Sequence, residues 1–179
     1  MKRHFLTAFA LATAGFFSGL ALPAAAQDSA PADVTNGQSF GAWTVSCQAL
    51  GMNKTSCVLQ QQLLRSSDRA FLARLVVFWS ADGARRLLAA QVPVGAYLPA
   101  GFALKAEASE TPKELTWQSC NKQICEALIE LDDATLQELS GEGQENIASY
   151  RPSLQADPLV FRFSMTGAQE GLAALKPAD

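Results

Sequence analysis

Short runs in which apolar and polar residues alternate every second position recur between residues 43 and 165. A period of two is the signature of half-buried β-strands. Trp43-Thr44-Val45-Ser46-Cys47 is the first such run, and Cys57 to Leu64 follows after a turn at Gly51 to Lys54. With Cys47 opposite Cys57 in a hairpin, Val45 faces Leu59 and Trp43 faces Gln61. Trp43, Val45, Leu59 and both sulfurs then share one buried face. Phe71 to Ser80 is rich in β-branched and aromatic residues. Phe71, Leu75, Val77 and Trp79 lie on one side of it and Arg74 on the other. Asp82-Gly83 is a turn signal that joins it to Arg85–Val92 as a second hairpin. Phe102 to Glu107 predicts a short strand. Leu115–Cys120 and Cys125–Leu131 predict a third hairpin, with Trp117 opposite Leu128, and Leu159–Met165 a closing strand.

The pattern breaks in three places. Pro93 to Gly101 carries two prolines and two glycines, and proline cannot donate to a ladder, so it predicts a loop or sheet edge. Asp132 to Ser140 has an acidic start and is followed by Gly141, which predicts a short helix. Thr166-Gly167-Ala168-Gln169 resembles a capping box ahead of a last helical turn or two over Glu170 to Leu175. Seven or so short strands with frequent turns suggest a β-sandwich or a small barrel.

The N-terminus follows a different logic. Met1-Lys2-Arg3-His4 is a positive stretch, Phe5 to Leu22 is apolar, and Pro23 precedes Ala24-Ala25-Ala26. This is the layout of a secretory signal peptide cut between Ala26 and Gln27. The apolar run is near the ~20 residues of a membrane span, but the proline and the small residues behind it favour cleavage. No cysteine lies near the cut to carry a lipid, and no later segment is apolar enough to cross a bilayer. Residues 27–39 are polar and aperiodic and read as a flexible leader, leaving residues 40–179 as one domain. The reading therefore divides the chain into 1–26, 27–39 and 40–179, with the product periplasmic or secreted.

An exported product changes the meaning of Cys47, Cys57, Cys120 and Cys125. Thiols outside the cytosol are oxidised, so four cysteines imply two disulfides. Three pairings are possible. Spacing favours Cys47 with Cys57 and Cys120 with Cys125, because each pair flanks a plausible turn. The same spacings match no common zinc finger or ribbon, and the Cys-x-x-Cys of redox dithiols is absent.

The candidate chemistry is sparse. His4 is the only histidine and lies in the leader, so the mature chain lacks imidazole. Ser-His-Asp and Cys-His nucleophile systems and His-ligated metals are excluded. Neither phosphate-binding glycine loop is present, nor is a calcium-loop spacing, and no metal or cofactor is expected. The formal net charge of −3 argues against nucleic acid as a partner. Charge is unevenly spread. Residues 65–86 hold Arg65, Arg69, Arg74, Arg85 and Arg86 against Asp68 and Asp82. Residues 126–150 hold seven acids and no base. Such asymmetry steers a charged partner, or simply keeps two faces solvated. Trp43, Trp79 and Trp117 each fall in a predicted strand, as core packing requires. Pro93, Tyr97, Leu98 and Pro99 form a candidate binding loop, since recognition residues often sit on loops held by a rigid scaffold.

A set of residues in order adds a resemblance. Phe40-Gly41-Ala42-Trp43 with Cys47, then Cys57 with Gln60-Gln61, then Val92-Pro93 with Gly95, Leu98-Pro99 and Gly101, then Trp117-x-x-Cys120 and Cys125-x-Ala127, resemble the invasion-associated locus B family of exported bacterial proteins. The likeness spans about Phe40 to Met165. It implies an immunoglobulin-like β-sandwich in the periplasm or at the surface, and a link to host-cell invasion in the founding pathogens. It implies no catalytic residue. The expected function is non-enzymatic binding of a protein or envelope component. The alternative is a cell-envelope enzyme or thiol-redox protein that works without histidine.

Overall fold

The computed structural model describes residues 34–177 apart from Asn53 and Glu142. The expected signal segment and its cut between Ala26 and Gln27 lie outside the described residues. Ten strands appear in chain order: β1 (Ser39–Phe40), β2 (Trp43–Gly51), β3 (Lys54–Leu64), β4 (Phe71–Trp79), β5 (Arg86–Pro93), β6 (Phe102–Ala106), β7 (Lys113–Cys120), β8 (Ile124–Glu130), β9 (Asn146–Tyr150) and β10 (Leu159–Phe163). Helix α1 (Asp133–Leu139) lies between β8 and β9, and α2 (Ala168–Ala174) follows β10. A single turn of 3₁₀-helix occupies Leu98–Ala100.

The strands form one continuous antiparallel order, β1-β2-β3-β4-β5-β8-β7-β6-β9-β10. The hairpins expected from alternation are present, with Val45 opposite Leu59 and Cys47 opposite Cys57. Trp117 lies opposite Ala127 rather than Leu128, which faces Thr116. A bulge between Trp117 and Ser119 shifts the register by one step. The crossover is where order in space departs from order in the chain. β5 pairs with β8, so β6 and β7 lie beyond it.

The sheet folds back on itself over a single apolar core. Trp43, Val45, Leu59, Leu75, Val77, Leu88 and Val92 of the first half are buried against Phe102, Leu104, Tyr150, Phe161 and Phe163 of the second. Phe102, Tyr150 and Phe161 make mutual aromatic contacts with centroids 6.1–6.3 Å apart. Polar groups stitch the layers together. The Tyr150 hydroxyl donates to the Leu72 carbonyl at 3.0 Å. The buried Gln61 amide donates to the Ser164 carbonyl at 3.1 Å and accepts from the Ser164 N–H at 3.2 Å. This layering is compatible with the immunoglobulin-like sandwich that the resemblance implies.

All three indoles act as pins as well as core. The indole N–H of Trp43 donates to the Ser164 carbonyl, that of Trp79 to Leu172, and that of Trp117 to Leu98, at 3.0, 2.8 and 2.9 Å. Each ties a returning segment to the strand that carries the tryptophan.

The helix signals resolve differently. Asp132 caps α1 by accepting from the Thr135 N–H at 2.7 Å. The expected capping box at Thr166 is absent. Gly167 is the N-cap of α2 with φ +85° and no side-chain cap, and the Thr166 hydroxyl bonds Ser164 instead. β9 lies inside the acidic stretch, where no strand was expected. The second half of the stretch read as a leader lies against the sheet. The Gly37 N–H donates to the Val45 carbonyl at 2.8 Å, the Val45 N–H to the Gln38 carbonyl at 2.8 Å, and the Cys47 N–H to the Asn36 side chain at 2.9 Å.

Candidate functional site

Each strand of the β2–β5 meander has two faces, and the core uses one. On the other face, β2 to β5 and β8 enclose an open trough of about 380 Å³. Val76 and Ala89 are buried in its floor, flanked by the half-buried Val58 and Phe78, while Leu50 is exposed on its rim. The signal for this was present in the sequence. β4 reads Leu-Val-Val-Phe, so the face opposite the core is itself apolar at Val76 and Phe78. A strand with one solvated face alternates more cleanly.

A polar row crosses the trough. Strand register sets Gln62 opposite Arg74, Arg74 opposite Gln91, and Gln91 opposite Glu126. The Gln91 side-chain amide donates to Glu126 Oε2 at 2.8 Å. Its Oε1 is buried and accepts nothing. A buried carbonyl oxygen without a donor costs about 1–3 kcal/mol. Arg74 is half-buried, and among the described residues no carboxylate lies within salt-bridge distance of it. The row thus presents a cation and an anion above an apolar floor, with the Gln91 oxygen sealed beneath them.

Three other arginines of the same stretch are paired. Arg65 pairs with Asp68. Arg85 pairs with Glu130 and Arg86 with Asp133. Two ion pairs thus join the arginine-rich and acid-rich stretches, from the start of β5 to the end of β8 and the start of α1. Among the described residues no group of three or more His, Cys, Asp or Glu side chains is arranged to hold a metal ion.

The four cysteines close two cross-strand disulfides, Cys47–Cys57 and Cys120–Cys125. The first lies in the hairpin that walls the trough. The second closes the β7–β8 turn, and β8 carries Glu126.

The Pro93–Gly101 loop is firmly held. The Tyr97 N–H donates to the Arg151 carbonyl at 2.8 Å, and the Arg151 guanidinium lies 5.9 Å from the Tyr97 ring centroid. Leu98 packs against the core and its carbonyl takes the Trp117 indole N–H. Pro99 and Val94 are exposed. Pro93 follows Gln91 by two positions on β5, so it lies on the trough's side of that strand. The structure keeps Tyr97, Leu98 and Pro99 apart from the polar row.

The model of one family, described as invasion associated locus B (IalB) protein, matches residues 43–176. The chain belongs to the invasion-associated locus B family. The fold of this family member is also similar to a solved structure, the invasion associated protein B of Bartonella henselae. The TM-score is 0.60 at 18% identity, over 77% of this chain and 92% of that one. Among curated proteins none matches the chain. The match starts at Trp43, so both disulfides, the trough and the Pro93–Gly101 loop all lie in the family region of this IalB-family chain. Among the described residues no helix is long and apolar enough to cross a membrane.

Proposed function

We propose that this chain is an exported, non-enzymatic binding module that recognises a protein or envelope component through the trough on the outer face of β2–β5. One observation carries the reading: Arg74 stands, among the described residues, without a carboxylate partner over an apolar floor. A half-buried cation held so in a sheet is what an anionic group of a ligand completes. Export is supported by the signal-type N-terminus and by the pairing of all four cysteines. A non-enzymatic role is supported by the lack of imidazole beyond His4. The exposed residues of the Pro93–Gly101 loop offer a second contact surface.

The test is a photo-cross-linking amino acid placed at Phe78, and separately at Tyr97, in the full chain within living cells. A discrete adduct from position 78, in the periplasmic or secreted fraction, is the expected result. Adducts from position 97 alone would move the site to the loop. No adduct from either position would remove the binding reading.

A further inference from the structure

Two opposite charges on the outer face go unpaired within the chain. Arg74 on β4 and Glu126 on β8 are both half-buried, and among the described residues neither forms a salt bridge. They project from the same face, because Gln91 on β5 is the Cα partner of each. Two strand spacings, about 10 Å, separate their Cα atoms. The Gln91 amide holds Oε2 of Glu126 at 2.8 Å and so fixes the carboxylate. The next same-face row, about 7 Å along the strands, is apolar. In it Val76, Ala89 and Leu128 lie side by side across β4, β5 and β8. Val76 and Ala89 are buried in the trough's floor, and Leu128 stands half-buried beside them.

This pattern is complementary to itself. A two-fold axis along β5, between two copies laid face to face, carries the β4 side of one copy onto the β8 side of the other. We infer that the outer face binds a second copy of this chain, forming a two-fold dimer with two reciprocal Arg74–Glu126 ion pairs. In the apolar row, Leu128 of each copy enters the trough over Val76 of the other, and the two Ala89 residues meet on the axis. Stacked sheets lie about 10 Å apart, within the joint reach of an arginine and a glutamate side chain. An anionic partner of another kind satisfies Arg74 but meets the like charge of Glu126, whereas a second copy satisfies both. The face of β3, β4, β5 and β8 covers on the order of 500 Å² per copy at ordinary strand spacings. That is the lower end of specific interfaces, so the dimer is reversible, with a dissociation constant on the order of 10 μM. The inference rests on the outer face being the binding surface and names what binds there.

The experiment is sedimentation equilibrium of the exported chain, both disulfides intact, over concentrations spanning about 1–200 μM. A monomer–dimer equilibrium is expected. Arg74→Glu and Glu126→Arg, each alone, should weaken it at least about tenfold, because both ion pairs become like-charge contacts. An equimolar mixture of the two variants should regain the natural strength. In the mixed dimer each altered side chain faces the other, and each unaltered one faces its natural opposite. Unfolding midpoints check the fold of each variant. Should either reversal fail to fold, Arg74→Gln or Glu126→Gln should still weaken the dimer at least about threefold. Monomers throughout, variants that dimerise as well as the natural chain, or a mixture no stronger than its components would each overturn the inference. The adduct from position 78 should have twice the mass of the chain. A monomeric chain with a position-78 adduct to a different protein would reject the dimer and leave the face as a binding surface. A monomeric chain with no such adduct would reject both.

Discussion

Gly167 and Gly41 meet where the β1–β2 turn passes under the start of α2, and this contact sets a sharp prediction. Gly167 has φ +85°, a conformation costing about 1–2 kcal/mol for any residue with a Cβ. A Cβ there would also lie 2.7 Å from the Gly41 nitrogen and collide with the Phe40 carbonyl carbon and oxygen. These are backbone atoms, fixed by the pairing of β1 with β2 and by the Ala42 N–H donating to the Thr166 carbonyl at 3.0 Å. Neither side yields cheaply, and forced overpacking costs about 1–3 kcal/mol more. Gly37 provides the control. Its φ is +86°, yet a Cβ there meets nothing within 4 Å. Both glycine-to-alanine changes lower the entropy of the unfolded chain equally, so that contribution cancels in the comparison. Gly167→Ala should therefore cost about 1–3 kcal/mol more than Gly37→Ala. With a urea slope of about 2 kcal/mol/M the midpoints should differ by about 0.5–1.5 M. The assay is urea unfolding followed by tryptophan fluorescence, with both disulfides intact and the slopes compared. Midpoints within about 0.3 M of each other would refute the claim that the backbone contact, and not the dihedral angle, makes Gly167 irreplaceable.

Other expectations follow from the same geometry. Trp79→Phe removes the indole N–H donated to the Leu172 carbonyl and should cost about 1–3 kcal/mol, with exchange of the α2 amides accelerating most. Burial raises the Tyr150 hydroxyl above its ordinary value near 10, with Arg65 opposing weakly. A raised folded value means its contribution is complete below pH 10 and is lost as pH rises past the folded value. Tyr150→Phe should flatten that alkaline fall in unfolding midpoint. Hydrogen bonds from Thr135 hold Asp132 below its usual carboxylate value, as bonds from Lys113 and Ser109 do for Glu138. Depressed values contribute above the ordinary carboxylate range and are lost as pH falls through them. Asp132→Asn should therefore reduce the loss of stability below about pH 4. Removing Cys47–Cys57 by paired alanines should cost about 2.7 kcal/mol and Cys120–Cys125 about 2 kcal/mol, the difference reflecting the sequence separations of 10 and 5 residues.

Local pairing was legible in the sequence because adjacent strands carry their own register marks. Cysteines opposite one another fixed Val45 against Leu59, and alternation assigned Trp43, Leu75 and Val77 to the core. What escaped is non-local. β9 is five residues, Asn-Ile-Ala-Ser-Tyr, embedded among acids, and it becomes a strand because β6 and β10 pair on either side of it. Leu128 lost Trp117 to a bulge that no periodicity announces. The Thr166 capping box failed because the helix starts one residue later, with Gly167 as its N-cap, and the Thr166 hydroxyl is taken by Ser164. The Arg74–Gln91–Glu126 row joins strands separated by the β6–β7 crossover, so no local window contains it. Its one local trace was an apolar second face on β4.

The central claim is that the outer face of a disulfide-clamped sheet is the working surface and that Arg74 gives it its charge preference. The most direct measurement is the in-cell cross-link from position 78, repeated with Arg74→Glu in a chain whose unfolding midpoint is unchanged. The account predicts that the adduct falls at least about tenfold, because the one cation lining the trough is replaced by an anion. An adduct of undiminished yield and identity would contradict it.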